Sequence, residues 1–328
     1  MNRVASILAC DRVLLGPMAG VTEAPFRGIC KRLGAGLTYT EMVSIKALHF
    51  MPEGRRTREL LVFAPEETPC AIQVYGADPA LMAEQVALLS ERYRDEMAVL
   101  DINMGCPVTK VVSKGEGSAL MREPRLAAEV VAAAVGATTV PVTVKMRSGW
   151  DEHHVNASEF AKAVEDAGAS AVAVHGRTRT QFYRGRADWD VIADVKRAVS
   201  IPVIGSGDLF SAQDVRDMLD RTGADGAMVA RGAQGNPWIF REAEALLRSG
   251  ETLDPPTPFE RVDMARRHAR ELVEFGGHHA FVRMRKHVAW YIADMPGATH
   301  VRARVNHCSS YEELDSLLAE YREYLETR

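Results

Sequence analysis

Residues 202–231 read PVIGSGDLFSAQDVRDMLDRTGADGAMVAR. An apolar run at 202–205 is followed by an amphipathic stretch at 211–221 and a second apolar run at 226–230. Neither run alternates polar with apolar residues, the pattern of a parallel strand buried on both faces. Ser211 stands where a helix needs a cap. The unit is therefore strand, helix, strand. Working outward, the same kind of run occurs at 13–18, 37–41, 70–75, 98–103, 142–146 and 171–175. Helical patterns lie between most of them, at 79–94 (capped by Asp78), 124–135 and 156–167. Eight strand–helix units in a region of this size predict an α/β fold, a (β/α)8 TIM barrel. The longest insertion, 44–68, is expected to carry a short helix.

The β pattern stops after Phe240, and GETLDPPTP at 250–258 reads as a linker. Helical patterns at 260–275, 280–292 and 311–325 predict a C-terminal helical bundle. The expected division is 1–245 for the barrel, 246–258 for a Pro-rich linker and 259–328 for the helical domain. With 328 residues, 47% hydrophobic and 26% charged, the chain has the composition of a folded globular protein. No run reaches the roughly 18 apolar residues of a membrane helix. The N-terminal apolar run ends at Asp11 and Arg12, too early for a signal peptide, so the cytoplasm is expected. Five cysteines without a CxxC pair argue against a disulfide framework and against a structural zinc or iron–sulfur site; no metal is expected. Charge is uneven. Residues 255–310 hold nine Lys/Arg against five acids, net +4, while the remainder of this −4 chain stands at −8. A basic region on an acidic body fits a polyanion footprint, although a solvated helix face gives the same count.

In such a barrel the chemistry lies at the C-terminal strand ends. Those ends deliver Pro17, Met18 and Ala19, then Glu41, Gln73, the NMGCP segment 103–107, Lys145 and Arg147, His175, the Ser206-Gly207-Asp208 turn, and Ala230 with Arg231. Each alone has a structural reading: Lys145 as a buried ion-pair partner, His175 as a core histidine. All of them on one rim do not. The glycine loops after strands seven and eight, with Arg231, read as a phosphate cradle. With Gln73 and Lys145 beside it, the cradle suits flavin mononucleotide (FMN). Cys106 sits in a Gly-Cys-Pro turn at a strand end and is a candidate general acid. Segment 110–119 is expected to position it.

Taken together, LLGPMAGVTEAPFR (14–27), TEMVS (40–44), QVYGADP (73–79), DINMGCPVTKVVSKGEGSALM (101–121) and VKMRSGW (144–150) carry a resemblance. It continues through VHGRTRTQFYRGRADW (174–189), VIGSGD (203–208), VARGAQGNPWIF (229–240), RMRKHVAWY (283–291) and 302–306. Over nearly its whole length the chain resembles the tRNA-dihydrouridine synthases, nearest their bacterial DusB branch. The resemblance implies an NADPH- or NADH-dependent flavoenzyme that reduces the C5–C6 double bond of a tRNA uridine, with hydride from FMN to C6 and a proton from Cys106 to C5. It implies FMN contacts from Pro17, Met18, Ala19, Gln73, Lys145, His175, Ser206, Gly207, Asp208, Ala230 and Arg231. It places Asn103, Arg147 and Tyr183 against the uracil, and Arg285, Lys286 and His287 near the flavin or on the RNA. A monomer is expected. Three positions depart from the family pattern: Ser206 for Asn, Ala230 for Gly, and Glu116 for a small residue, the last expected to alter RNA contact. The alternatives are a small-molecule FMN barrel of the dihydroorotate dehydrogenase or ene-reductase kind, an aldolase using Lys145 as a Schiff base, and a non-catalytic RNA-binding protein. Bound flavin separates the first from the second, and NADPH oxidation excludes the last.

Overall fold

The computed structural model describes residues 3–327. Its eight strands are β1 (Val13–Leu15), β2 (Val43–Ser44), β3 (Cys70–Tyr75), β4 (Met97–Met104), β5 (Val142–Arg147), β6 (Ala171–His175), β7 (Val203–Ser206) and β8 (Gly226–Val229). All neighbours pair in parallel, in the order β1-β8-β7-β6-β5-β4-β3-β2. The run at 37–41 forms no ladder of its own. It bridges both sides singly, Leu15 to Thr38 and Tyr39 to Ala71, and passes the pairing on to β2. Leu15 N–H donates to Leu37 O and Ala71 N–H to Thr38 O, so these few bonds close the (β/α)8 barrel.

Two apolar layers follow from strands buried on both faces. Leu14, Leu37, Tyr39, Val99, Ala173, Ile204 and Met228 fill the barrel, and Val4 and Leu8 of the Arg3–Cys10 helix plug its N-terminal end. The opposite strand faces pack on the surrounding helices, with Phe26, Phe160 and Phe240 fully buried. Asp78 and Ser211 cap their helices as their spacing predicts, accepting from Leu81 N–H and Asp214 N–H. Insertion 44–68 carries two short helices, Ile45–Phe50 and Arg55–Leu60. Its end is tied to the barrel by a buried bidentate pair, Arg27 to Glu67, at 2.6 and 2.9 Å. The Ile239–Ser249 helix runs into the expected linker, which is non-helical only over 250–257; beyond it come Pro258–Gly276, Met284–Tyr291, Ala298–Val305 and Tyr311–Glu326, with a separate apolar core around Leu272, Phe281 and Leu318. The Ala298–Val305 helix has no counterpart among the expected spans.

Candidate active site

The C-terminal strand ends surround a cavity of about 480 Å³. Its floor is a chain of side-chain hydrogen bonds that begins at a residue the sequence did not flag. Asp101, mid-β4 and fully buried, accepts from Gln73 Nε2 at 2.7 Å and from Thr143 Oγ1 at 2.6 Å. Gln73 Oε1 in turn accepts from Asn103 Nδ2 at 2.9 Å. Asn103 Oδ1 then accepts from the N–H groups of Gly105 and Cys106, at 3.2 and 2.8 Å. One carboxylate thus sets the orientation of two amides, and the second amide holds the cysteine turn. Burial pushes the Asp101 carboxyl up to about 6 despite these donors and Lys145 nearby.

Cys106 is gripped from the other side as well. Ser118 donates to its carbonyl oxygen from both N–H and Oγ, at 3.1 and 2.8 Å. Gly117 lies below it at φ +62°, where a Cβ would stand 3.0 Å from Cys106 O and 2.9 Å from Val111. Segment 110–119 therefore underpins the turn. Glu116 is buried and ion-paired to Lys46 at 2.8 Å, so any effect on RNA contact at that position would pass through the half-exposed Lys46. Burial raises the Cys106 thiol above its ordinary value, against the opposing pull of Arg147 and Lys145, which leaves a protonated thiol facing the cavity at neutral pH.

Besides Arg231, two cations line the cavity. Lys145 is brought down to about 8 by burial and by Arg147. Arg147, lowered to about 10 by burial, donates to Gly105 O, Thr178 O and Phe182 O at 2.8–3.0 Å. Most of its guanidinium is thus a clamp between the Cys106 turn and the loop carrying Tyr183. His175 is held well below its usual value by burial and by the surrounding cations, so it is neutral. Tyr183 is half exposed at the mouth, with the Arg231 guanidinium 4.7 Å from its ring centroid.

The loops after β7 and β8 meet backbone to backbone. A Cβ on Gly232 would lie 1.9 Å from Leu209 O, and one on Gly207 would be 2.6 Å from the Ala187 methyl and 2.9 Å from the His175 ring. These glycines allow the approach, and Asp208, Leu209, Arg231 and Gly232 line the cavity where the two loops meet. That corner fits a phosphate. The Asp208 carboxylate is otherwise engaged: it accepts from Arg177 and from Ala187 N–H, both at 2.7 Å, and lies 3.4 Å from Arg231. Its backbone, not its side chain, is what it offers an anion. Ser206 Oγ is spent on Met228 O at 3.1 Å.

Residues 14–326 match the family model for dihydrouridine synthase. The chain belongs to the dihydrouridine synthase family. It is 42% identical over 328 residues to the tRNA-dihydrouridine synthase B of Pseudomonas aeruginosa, covering 99% of this chain and 96% of that one. It is 40% identical over 317 residues to the probable tRNA-dihydrouridine synthase 1 of Synechocystis sp., covering 96% and 88%. Among solved structures, histamine dehydrogenase from Rhizobium sp. 4-9 aligns with a TM-score of 0.53 at 15% identity, over 79% of this chain and 48% of that one, a likeness of barrel fold. Membership favours the reductase reading over the small-molecule barrel, the aldolase and the non-catalytic protein.

Within this family member the cavity gathers Pro17, Met18, Ala19, Gln73, Asn103, Cys106, Lys145, Arg147, His175, Tyr183, Ser206, Gly207, Asp208, Ala230 and Arg231. The tail residues do not join them. Arg285 is half-buried and donates to Cys308 O at 3.3 Å, among the tail helices. Lys286 Nζ donates to Gly20 O, bracing the β1 loop from outside the cavity. His287 is fully buried beside Glu23 and His268. The basic window is also less available than its count implies. Arg266 pairs with Asp315, Arg283 with Glu59 and Arg304 with Glu320, all acids outside the window.

Proposed function

We propose that this chain reduces a uridine of tRNA to dihydrouridine, using FMN held in the barrel cavity and NADPH or NADH as reductant. The reading is carried by one observation: a protonated cysteine, three cations and two glycine-built loops line a single cavity. The N–H groups of Asp208, Leu209, Arg231 and Gly232 would hold the FMN phosphate, with the Arg231 guanidinium beside it. Lys145, Gln73 and His175 would face the ring system, and Asn103 the uracil. Bound there, FMN would supply hydride to uracil C6. Lys145, still charged at pH 7, favours negative charge on its neighbour. Cys106 holds the proton for C5, and Asn103 and Ser118 keep its turn in place. Arg147 and Tyr183 border the space for the base. A paired uridine has to leave its stack to arrive there.

The domain limits proposed are 1–245 for the barrel and 259–328 for a helical tRNA-binding part, joined by 246–258. No described helix is long and apolar enough to cross a membrane. A tRNA substrate places the enzyme in the cytoplasm, and one chain supplies the whole cavity, so a monomer suffices. The test is direct. The purified protein should release FMN on denaturation, oxidise NADPH or NADH, and form dihydrouridine in unmodified tRNA. Protein that takes up no FMN on reconstitution, or reduced protein that is not reoxidised by tRNA, overturns the reading.

A further inference from the structure

Where the barrel meets the tail, three side chains from distant parts of the chain converge. Glu23 precedes the Ala24–Arg32 helix, His268 lies in Pro258–Gly276 and His287 in Met284–Tyr291. Glu23 is 7% exposed and both histidines are 0% exposed. Glu23 Oε1 stands 3.4 Å from His268 Nε2 and 3.2 Å from His287 Nε2. Yet both carboxylate oxygens, His268 Nε2 and both ring nitrogens of His287 are buried without a hydrogen-bond partner. A buried carboxylate facing two imidazoles without bonds of good geometry is costly for a protein interior. A cation in their midst would satisfy all three groups.

The spacing fits one. Metal–ligand distances of about 2.0–2.1 Å in a tetrahedron put ligand atoms about 3.3 Å apart. One ligand atom from each residue lies within 4.8 Å of the other two. The second Glu23 oxygen, also unpartnered, sits on the same carboxylate and counts with the first as one ligand, so the fourth position is left to a water. Tyr291 OH lies 3.3 Å from His268 Nδ1, the outer contact that fixes which imidazole nitrogen faces a metal. Phe26, with its ring centroid 5.5 Å from both imidazoles, flanks the site. We propose that Glu23, His268 and His287 form a structural site for a divalent cation of the Zn²⁺ class, stapling the tail helices to the barrel. The inference goes beyond the reductase reading and does not depend on it.

The chain, stripped with a chelator, is titrated with Zn²⁺ alone against a chromophoric competitor, and separately with Co²⁺. One equivalent of Zn²⁺ should bind and raise the melting temperature, and Co²⁺ should give the visible absorption of a tetrahedral site. Tyr291→Phe keeps all three ligands and should weaken Zn²⁺ by roughly 10–100-fold. His287→Gln and Glu23→Gln should weaken it further. If these variants fail to fold, the parent chain's Co²⁺ spectrum decides. A stripped parent chain that takes up neither ion, or a folded His287→Gln chain that binds as tightly as the parent, overturns the site and leaves a carboxylate–imidazole network in its place.

Discussion

The barrel cavity and the face of the tail helices both carry cations within reach of one rim, and they treat them in opposite ways. In the cavity, Lys145 has Asp101 nearby but makes no direct ion pair among the described residues, and Arg147 binds only carbonyl oxygens. On the tail, Arg266, Arg267 and Arg283 each face a carboxylate at 2.7–3.0 Å, while Arg285 and Lys286 are tied to main-chain oxygens. The first region keeps positive potential ready for an anionic guest. The second uses these five charges to hold helices together, so tRNA contact by the tail falls to its remaining cations. Arg231 stands between the two cases: it borders the cavity yet lies 3.4 Å from Asp208, a carboxylate already engaged by Arg177.

The cavity side of this contrast is tested first where the largest effect is expected. Cys106→Ala should leave flavin binding and its reduction by NADPH intact, since neither needs the thiol, and should slow dihydrouridine formation by roughly 10²–10⁴-fold. Stopped-flow reoxidation of reduced flavin by unmodified tRNA measures it; a parent-like rate would return Cys106 to a structural role. Next, Arg231→Ala removes a charge-assisted contact from the phosphate corner. FMN retention, followed by equilibrium dialysis, should weaken by about 1.5–3 kcal/mol. Unchanged retention would place the phosphate elsewhere.

Lys145 gives a smaller, pH-dependent effect. Its folded value of about 8 means the ammonium is present at pH 7 and is lost as pH rises through 8. FMN affinity should therefore fall by up to about tenfold between pH 7 and pH 9, each pKa unit being worth about 1.4 kcal/mol. In Lys145→Met the profile should be flat and low throughout. The smallest effect belongs to the tail. Arg283 and Glu59 are both partly exposed, so Arg283→Ala should change stability by no more than about 1 kcal/mol. Its effect on tRNA affinity in a salt titration should be slight. A large loss of tRNA affinity would show that the pair opens to receive RNA, and the contrast between the two regions would fail.

What was legible in the sequence follows the same division. A strand end in a closed barrel has only one place to be, so Gln73, Cys106, Lys145, His175 and Arg231 could be assigned to one rim from strand runs alone. The 37–41 run was legible as a strand position but not in its pairing, because two single bridges depend on barrel closure and not on local pattern. Asp101 escaped notice because mid-strand side chains read as core, and only the fold shows that it orients Gln73 and, through it, Asn103. Arg285 and His287 were misplaced because an amphipathic pattern does not say what a helix packs against. The Glu116–Lys46 pair was not legible, because nothing local signals a partner seventy residues away.

The double grip on Cys106 bears on which uridines can react. Its N–H is held by Asn103 and its carbonyl oxygen by Ser118 twice over, so the acid does not travel to its substrate. The movement needed to bring C5 to the thiol then falls on the nucleic acid, and unstacking a base takes a few kcal/mol. An enzyme built this way samples the breathing of its substrate. Nucleosides in loose loops would be converted early, and those locked in tertiary pairs would wait for the RNA to open.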